Sequence, residues 1–589
     1  MDDKQDKLIS RLFKDTLIIF LLSMFASTIG HIIDGIITGH FLGTDSMAAF
    51  GFTAPYQRFA TIFPAVLALG MQVLCSKSLG RGELREVNGI FSLAVTVALT
   101  IMIFLTGATF LFAEQIVDLL GAQENLGEIR SLTIDYLEAF SLSLPALALV
   151  TILTPIMQLD NDRQRALISV VVLSVSNIIG DLVCVFVFDG GLWGMGIATV
   201  VSYWLAAGVL LLHFFKANSN FTFLPEAVRI KNLRKMILAG SPIILGRAAS
   251  TLCIIILTRI ALTLTSGSGV AALTAVWNFL VFLETIPIAL SLTVQMIIGV
   301  LIGEQDKNSI LRLMKLALRY SLIITLTMTA GSLLSAPIIA SLYIQDTDAT
   351  TYQMTLEGIR CVSLIIIPCA ISLMFNYYYN ASGRHNLSNL FSILNNIGFI
   401  VLFALIFTLY LEMTGLWLSL SLRYVALVLL VFFITWYYYG RITFRLEDYL
   451  LLPEDFDVSK DKQLNITVTN KSEVMGLSER TQNFCEGCGV DNRRSMFAGI
   501  CIEEMAGNIV DYGFYEDKKH FVDVRVIVKG EQIIIRIRDD CRPFNPKKWA
   551  EIHNPKDPVA HIGIRLVKNI STEFDYVNVL KLNNLIIKI

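Results

Sequence analysis

Up to Gly440 the chain alternates long apolar runs with short polar breaks, and twelve of those runs are long enough to cross a bilayer. They lie at about 15–42, 46–76, 89–112, 132–158, 166–188, 192–215, 236–264, 270–302, 313–342, 353–381, 387–411 and 415–439. The first is too long for a cleavable signal and lacks a small-x-small cleavage site, so it reads as a span. After Arg445 the pattern changes. Residues 446–461 are charged and contain proline, as a linker does. Leu464–Thr469 reads as a strand, and Ser472–Cys488 and Arg493–Tyr512 as amphipathic helices. Val522–Val528 and Gln532–Arg538 alternate apolar and polar around Gly530, which predicts a hairpin. A helix near His561–Ile570 and strands at Tyr576–Lys581 and Leu585–Ile589 complete an α+β sandwich.

The apolar part repeats itself. Pro64, Leu67, Gln72 and Gly80 recur as Pro287, Leu290, Gln295 and Gly303, each 223 residues on. Ala48-Ala49 and Pro145 recur as Ala271-Ala272 and Pro368 at the same offset. Six segments followed by six in one orientation is a parallel duplication, the plan of a transporter whose two lobes alternate access.

Composition agrees with a membrane protein. Of the residues 54% are hydrophobic and 16% charged, against about 25% charged in soluble domains. A net charge of −2 excludes a general nucleic-acid partner. Nine cysteines are scattered and form no disulfide framework, and Cys485-x-x-Cys488 has no second pair. Five of the six short loops that join odd to even segments carry no Lys or Arg, and the sixth has Arg130. The opposite loops hold Lys77, Arg81, Arg85, Arg163, Arg165, Arg234, Lys235, Lys307 and Arg312 among others. By the positive-inside rule both termini and those loops face the cytoplasm.

Four polar residues stand out inside the apolar runs. Asn177 and Asp181 are four apart and share a helix face. Asp34, Asp181 and Thr199 each fall about 12 Å below the outer surface at 1.5 Å per residue, with Asn177 one turn deeper. A carboxylate in hydrocarbon marks an ion or substrate path. Two carboxylates, an amide and a hydroxyl at one level form an oxygen-rich pocket suited to Na⁺ or to proton exchange. Arg247 and Glu284, on successive segments, are a candidate buried pair serving substrate contact or lobe stability.

The stretches IGHIIDGIITGHFLGTDSMAAFG, GMQVLCSKSLGRGE and NIIGD…GLWGMGIATVVSYW resemble the multidrug and toxic compound extrusion (MATE) family. The likeness covers about residues 10–440 and recurs in both halves. It implies two six-helix lobes that exchange inward Na⁺ or H⁺ for outward movement of organic, often cationic, compounds. In the DNA-damage-inducible-type branch the residues matching Asp34, Asn177, Asp181 and Thr199 form a cation site. A neighbouring branch has an acidic residue on segment seven, where this chain has Arg247 and Arg259.

The tail resembles the histidine-kinase-like ATPases, in form nearest the anti-sigma-factor serine kinases. Glu504-Met-Ala-Gly-Asn508 matches that family's Glu-x-x-x-Asn helix, Arg538-Asp539-Asp540-Cys541 its adenine-reading turn, and Ile562-Gly563-Ile564 the start of its phosphate-covering helix. The resemblance implies that Glu504 is a general base, that Asn508 holds Mg²⁺ on ATP phosphates, and that Asp539 and Gly563 contact nucleotide. Cys541 and His561 stand where that family has glycine, and a Cβ at either position opposes a close backbone approach.

The expectation is therefore an all-α polytopic membrane protein of twelve transmembrane helices in two six-helix lobes, residues 1–222 and 223–445. A linker at 446–461 leads to a cytoplasmic α+β domain of the histidine-kinase-like ATPase type at 462–589. The expected function is Na⁺- or H⁺-coupled export of small organic molecules across the cytoplasmic membrane, with ATP and Mg²⁺ or a regulatory protein acting on the tail. Two other readings are a membrane-bound signalling protein with serine-kinase activity and a flippase for a lipid-linked precursor.

Overall fold

The computed structural model describes residues 2–122, 127–215, 219–344, 349–454, 456–514, 520–552 and 562–589. The first half of the apolar part holds α1 (Asp2–Phe41), α2 (Gly43–Arg81), α3 (Leu84–Leu111), α4 (Ala113–Leu120), α5 (Glu128–Ser141), α6 (Leu144–Leu159), α7 (Arg163–Phe186) and α8 (Gly191–Leu211). The second half holds α9 (Lys231–Gly303), α10 (Lys307–Tyr343), α11 (Ala349–Ser363), α12 (Ile366–Ala381), α13 (His385–Ile393) and α14 (Phe399–Tyr439).

Among the described residues eight helices are long and apolar enough to cross a membrane, or ten if each bent pair is one span. The difference from the expected twelve has three sources, the first being that segment 15–42, which lies in α1, is not among those helices. Segments 387–411 and 415–439 form one helical run, His385–Tyr439, which departs from helical geometry at Glu412 (φ 48°, ψ −127°). Segments 132–158 and 353–381 are each bent pairs, α5/α6 at 47° and α11/α12 at 51°. Pro145 and Pro368 sit in the first turn after each bend. A proline there lacks the N–H that would tie the second helix to the first, so the repeated proline gives both halves the same bend. α9 runs out and back, because Met236 near its start and Gly303 at its end both touch α2.

The two halves meet through glycines. A Cβ on Gly80 would overlap the Val300 carbonyl, and one on Gly303 would overlap the Lys77 carbonyl. Gly80 and Gly303 therefore lie against each other at equivalent positions of the repeat. Gly70 packs on the Met236 backbone and Gly240 on that of Val66. Gly299 sits against Ser76. Only residues without Cβ let backbones approach this closely in an apolar medium, where such contact drives helix association.

Beyond α15 (Leu446–Tyr449) the chain forms a five-stranded antiparallel sheet: β1 (Gln463–Val468), β2 (Val522–Lys529), β3 (Gln532–Asp539), β4 (Glu573–Val579) and β5 (Leu582–Lys588), in the order β1-β2-β3-β5-β4. Its helices are α16 (Lys471–Val474), α17 (Leu477–Gly487), α18 (Asn492–Asn508), α19 (Pro546–Ile552) and α20 (Ile562–Ile570). Strand alternation sends Val522, Val524, Val526, Ile533, Ile535 and Ile537 into a core shared with α17, α18 and α20. The opposite face carries Asp523, Arg525, Arg536 and Arg538. It is buried against the ends of the membrane helices, so that the β4–β5 hairpin residues Val577, Val579 and Leu580 belong to the core of the helical part.

Gly303→Val should lower the thermal midpoint of the detergent-solubilised protein, with an overpacking cost of about 1–3 kcal/mol. Gly107→Ala, where nothing lies within 4 Å, should leave the midpoint unchanged or raise it slightly.

Candidate functional site

α7 presents Asn177 and Asp181 one turn apart on its face toward α1 and α8, both buried. Close packing of Gly180 on Ala198 holds α7 and α8 together at this level. Asn177 Nδ2 donates to Thr199 Oγ1 at 3.4 Å, and Thr199 Oγ1 donates to the Met195 carbonyl at 3.0 Å. Asp34 arrives from α1, near enough to Asp181, itself 1% exposed, for the two carboxyls to interact electrostatically. Thr38 on the next turn of α1 donates to the Asp34 carbonyl at 2.8 Å. All four residues singled out from the sequence thus meet in one place. Tyr136 of α5 and Tyr203 of α8 lie near enough to interact electrostatically with Asp34, and Tyr136 also with Asp181. Sequence reasoning missed both tyrosines. Tyr203 is one turn beyond Thr199 and was open to a helical-spacing argument, whereas nothing local points to Tyr136.

Two carboxyls side by side at low dielectric cannot both stay charged without a partner, so the pair suits a shared proton or a small cation with oxygen ligands. The residues present fit either one. Asn177, Thr199 and the tyrosine hydroxyls add neutral oxygens around the carboxyls.

The expected Arg247–Glu284 pair does not form. Arg247 is exposed and donates to Thr61 Oγ1 at 2.7 Å and to the Arg58 carbonyl at 3.3 Å. Glu284 instead bonds the buried Arg423 of α14 at 2.5 Å and accepts from the Tyr424 hydroxyl. Arg423 also donates to the Asn395 carbonyl at 3.1 Å, which fixes the guanidinium between α9 and α14.

The MatE family profile matches residues 20–183 and again 242–406, close to the repeat offset seen in the sequence. The chain belongs to the MatE family. The multidrug export protein MepA of Staphylococcus aureus (strain NCTC 8325 / PS 47) is 25% identical over 201 residues, 33% of this chain and 44% of that protein. MepA of Staphylococcus saprophyticus is 24% identical over 214 residues, 36% of this chain and 47% of that protein. The chain therefore spans less than half the length of these relatives in the match. Among solved structures, an outward-facing multidrug resistance MATE family transporter of the MOP superfamily aligns with a TM-score of 0.67 at 19% identity, covering 72% of this chain and 94% of that one. A variant of the Vibrio cholerae MATE transporter VcmN aligns with a TM-score of 0.67 at 17% identity, covering 72% and 95%. These likenesses carry the fold: a mostly helical, multi-pass MatE protein of a transporter family.

The sheet domain lies outside the MatE match and contains a cavity of about 800 Å³. Glu504 and Asn508, one turn apart on α18, line it together with Asp539, Trp549, Gly563 and Tyr576. A Cβ at Gly563 would overlap the Glu504 carboxylate, so a side chain there would turn Glu504 aside. Asn508 ends α18 where the helix widens into a π turn, Ile509–Gly513, a distortion common at functional sites. Cys541 is accommodated because Gly513 faces it: a Cβ on Gly513 would lie 3.0 Å from Cys541 Cβ. His561 lies outside the described residues. Asp539 accepts from Asn583 Nδ2 at 2.6 Å and from the Cys541 N–H at 2.9 Å. Burial pushes its carboxyl up to about 6 despite those two donors. Trp549, Tyr576 and Asn583 were not singled out from the sequence, because they come from three separate elements.

A carboxyl raised in the folded state contributes stability below its unfolded value, and that contribution is lost as pH rises through its folded value. Asp539→Asn keeps both acceptor bonds and removes the charge. The variant should melt above wild type at about pH 7, with the gap closing toward about pH 4. Thermal denaturation of the full chain across that range measures the gap, and parallel curves would refute the assignment.

Proposed function

We propose that the chain is a cation-coupled antiporter that exports small organic, in the main cationic, compounds across the cytoplasmic membrane. Its twelve transmembrane helices are arranged as two six-helix lobes, with both termini cytoplasmic. The observation that carries this reading is the meeting of Asp34 and Asp181 beside Asn177 and Thr199 in a chain of the MatE family. The relatives named as multidrug export proteins support the substrate class.

Asp34 and Asp181 would hold the coupling Na⁺ or H⁺, with Asn177 and Thr199 as neutral ligands. The ion supplies the positive charge that lets both carboxyls stay buried. With the pair neutralised, α1 rests against α7. Without the ion, two like charges face each other at low dielectric, and α1 carries Asp34 away. Binding at this pair therefore biases the position of α1 and, through it, the substrate path between the lobes.

In the tail, we read the cavity as a site for ATP with Mg²⁺ that serves regulation. Asp539 would accept from the adenine amino group, Asn508 would hold Mg²⁺, and the start of the helix at Ile562-Gly563 would favour anionic phosphates. Glu504 would act as a general base on a water or hydroxyl.

Everted vesicles containing the protein should take up a fluorescent cationic dye under an imposed H⁺ or Na⁺ gradient. Asp181→Asn and Asp34→Asn should each lose that uptake while still inserting in the membrane. Undiminished uptake by both variants would remove the coupling assignment. Separately, the full chain should bind a fluorescent ATP analogue with Mg²⁺, and Asn508→Ala or Asp539→Ala should abolish binding. Equal binding by wild type and both variants would remove the nucleotide assignment.

A further inference from the structure

The arginine face of the sheet sits on the junction of the two membrane halves. Glu304 and Asp306 follow Gly303 directly, where the second half meets the first at Gly80. Arg538 bonds Glu304 at 3.1 Å and Asp306 at 2.6 Å, and Asn584 Nδ2 donates to Glu304 Oε1 at 2.7 Å. Arg536 donates to the Glu304 carbonyl at 2.7 Å and to the Gly80 carbonyl at 3.4 Å, touching both halves with one guanidinium. Arg525 donates to the Gln305 carbonyl at 3.2 Å and bonds Asp457 at 2.7 Å. Glu304, Asp306, Arg525, Arg536 and Arg538 are all buried, and Asp457 is half-buried. Arg525, Arg538 and the Ser309 donors hold the Asp306 carboxyl well below its usual range against the opposing effect of burial.

The same domain grips the first half through the β4–β5 hairpin. Leu580, 2% exposed, donates its N–H to the Leu159 carbonyl at 3.3 Å and accepts from Arg163 at 3.2 Å. Asn161 donates to the Asn578 carbonyl at 3.0 Å, and Asn220 donates to it at 2.6 Å. Leu580 and Lys581 both have positive φ, 55° and 62°, in a two-residue turn that favours Asn-Gly. The turn keeps a leucine there, and that leucine is the apolar anchor in the first half.

We propose that the C-terminal domain is a clasp across the two lobes, which can separate on that side only after the arginine face leaves Glu304 and Asp306. The inference deepens the antiporter reading and rests on it, because alternating access requires that separation. Charge complementarity makes the clasp selective. The first repeat offers Arg81-Gly82-Glu83 at the position where the second offers Glu304-Gln305-Asp306, so only the second is acidic enough to seat three arginines. Neutralising that loop leaves Arg536 buried without a counter-charge and Arg525 and Arg538 with only Asp457 and Asp523, one carboxylate each, which weakens the seat of the sheet. The clasp also borders the tail cavity. Arg538 and Asn584 face the lobes, while Asp539 and Asn583, the next pair in register, face the cavity.

The test is double electron–electron resonance on the full chain in lipid nanodiscs. Spin labels go on Arg85→Cys and Lys315→Cys, both exposed and one in each half, with Cys488 replaced. Wild type should give one short distance. Glu304→Gln combined with Asp306→Asn should add a longer population, and Asn at 306 keeps the helix cap that Asp306 gives to Ser309. Leu580→Asn combined with Lys581→Gly should do the same while favouring the hairpin itself. Long and short populations of equal weight in wild type and both variants would overturn the clasp and leave alternating access standing. One short distance in every protein would overturn both.

Discussion

The contact between Gly80 and Gly303 is the constraint on which the rest depends. At this crossing the backbones of the two repeats touch, and a methyl group on either residue would force them apart. Because lipid offers no hydrophobic drive between helices, close van der Waals approach decides which surfaces associate. The crossing aligns the two halves about their sequence repeat. It also brings the loop after α2 beside the loop after α9, and so builds the surface on which the sheet domain rests.

The carboxylate site and the sheet domain share α1. Arg11, near the start of that helix, bonds Asp540 of the domain at 2.9 Å, and Asp34 lies 23 residues further along the same helix. At 1.5 Å per residue that separation is about 35 Å. α1 thus runs from a salt bridge with the sheet domain to the carboxylate pair. The half-buried Glu284–Arg423 bond does a different job. It ties α9 to α14 within the second half, away from the crossing.

Much of the site was legible because helical period and depth are local properties. Asn177 and Asp181 share a face whatever the helix packs against, and the loop charges indicate how deep Asp34 and Thr199 lie. Pro145 and Pro368 were visible as a repeat, and their missing N–H groups explain the paired bends. Tyr136 was not legible, since it comes from a helix whose rotation toward the carboxyls depends on its neighbours. The Arg247–Glu284 expectation failed for the same reason. Adjacent segments contain both residues, but the partner of Glu284 lies 139 residues further on, at Arg423.

By itself the sequence determined the apolar spans, the duplication, the change of period after Arg445 and the alternation that puts Arg525, Arg536 and Arg538 on one face of a sheet. Each follows from short-range geometry, in which a residue's position along a helix or strand dictates the direction of its side chain. Tertiary structure alone decided what those directions meet. The arginine face, which in an isolated sheet would point to water, is covered by Glu304 and Asp306, more than two hundred residues earlier in the chain. That pairing depends on two halves closing at glycines and on a hairpin anchored by Leu580. No local pattern encodes it, because long-range packing selects among many sterically equivalent faces.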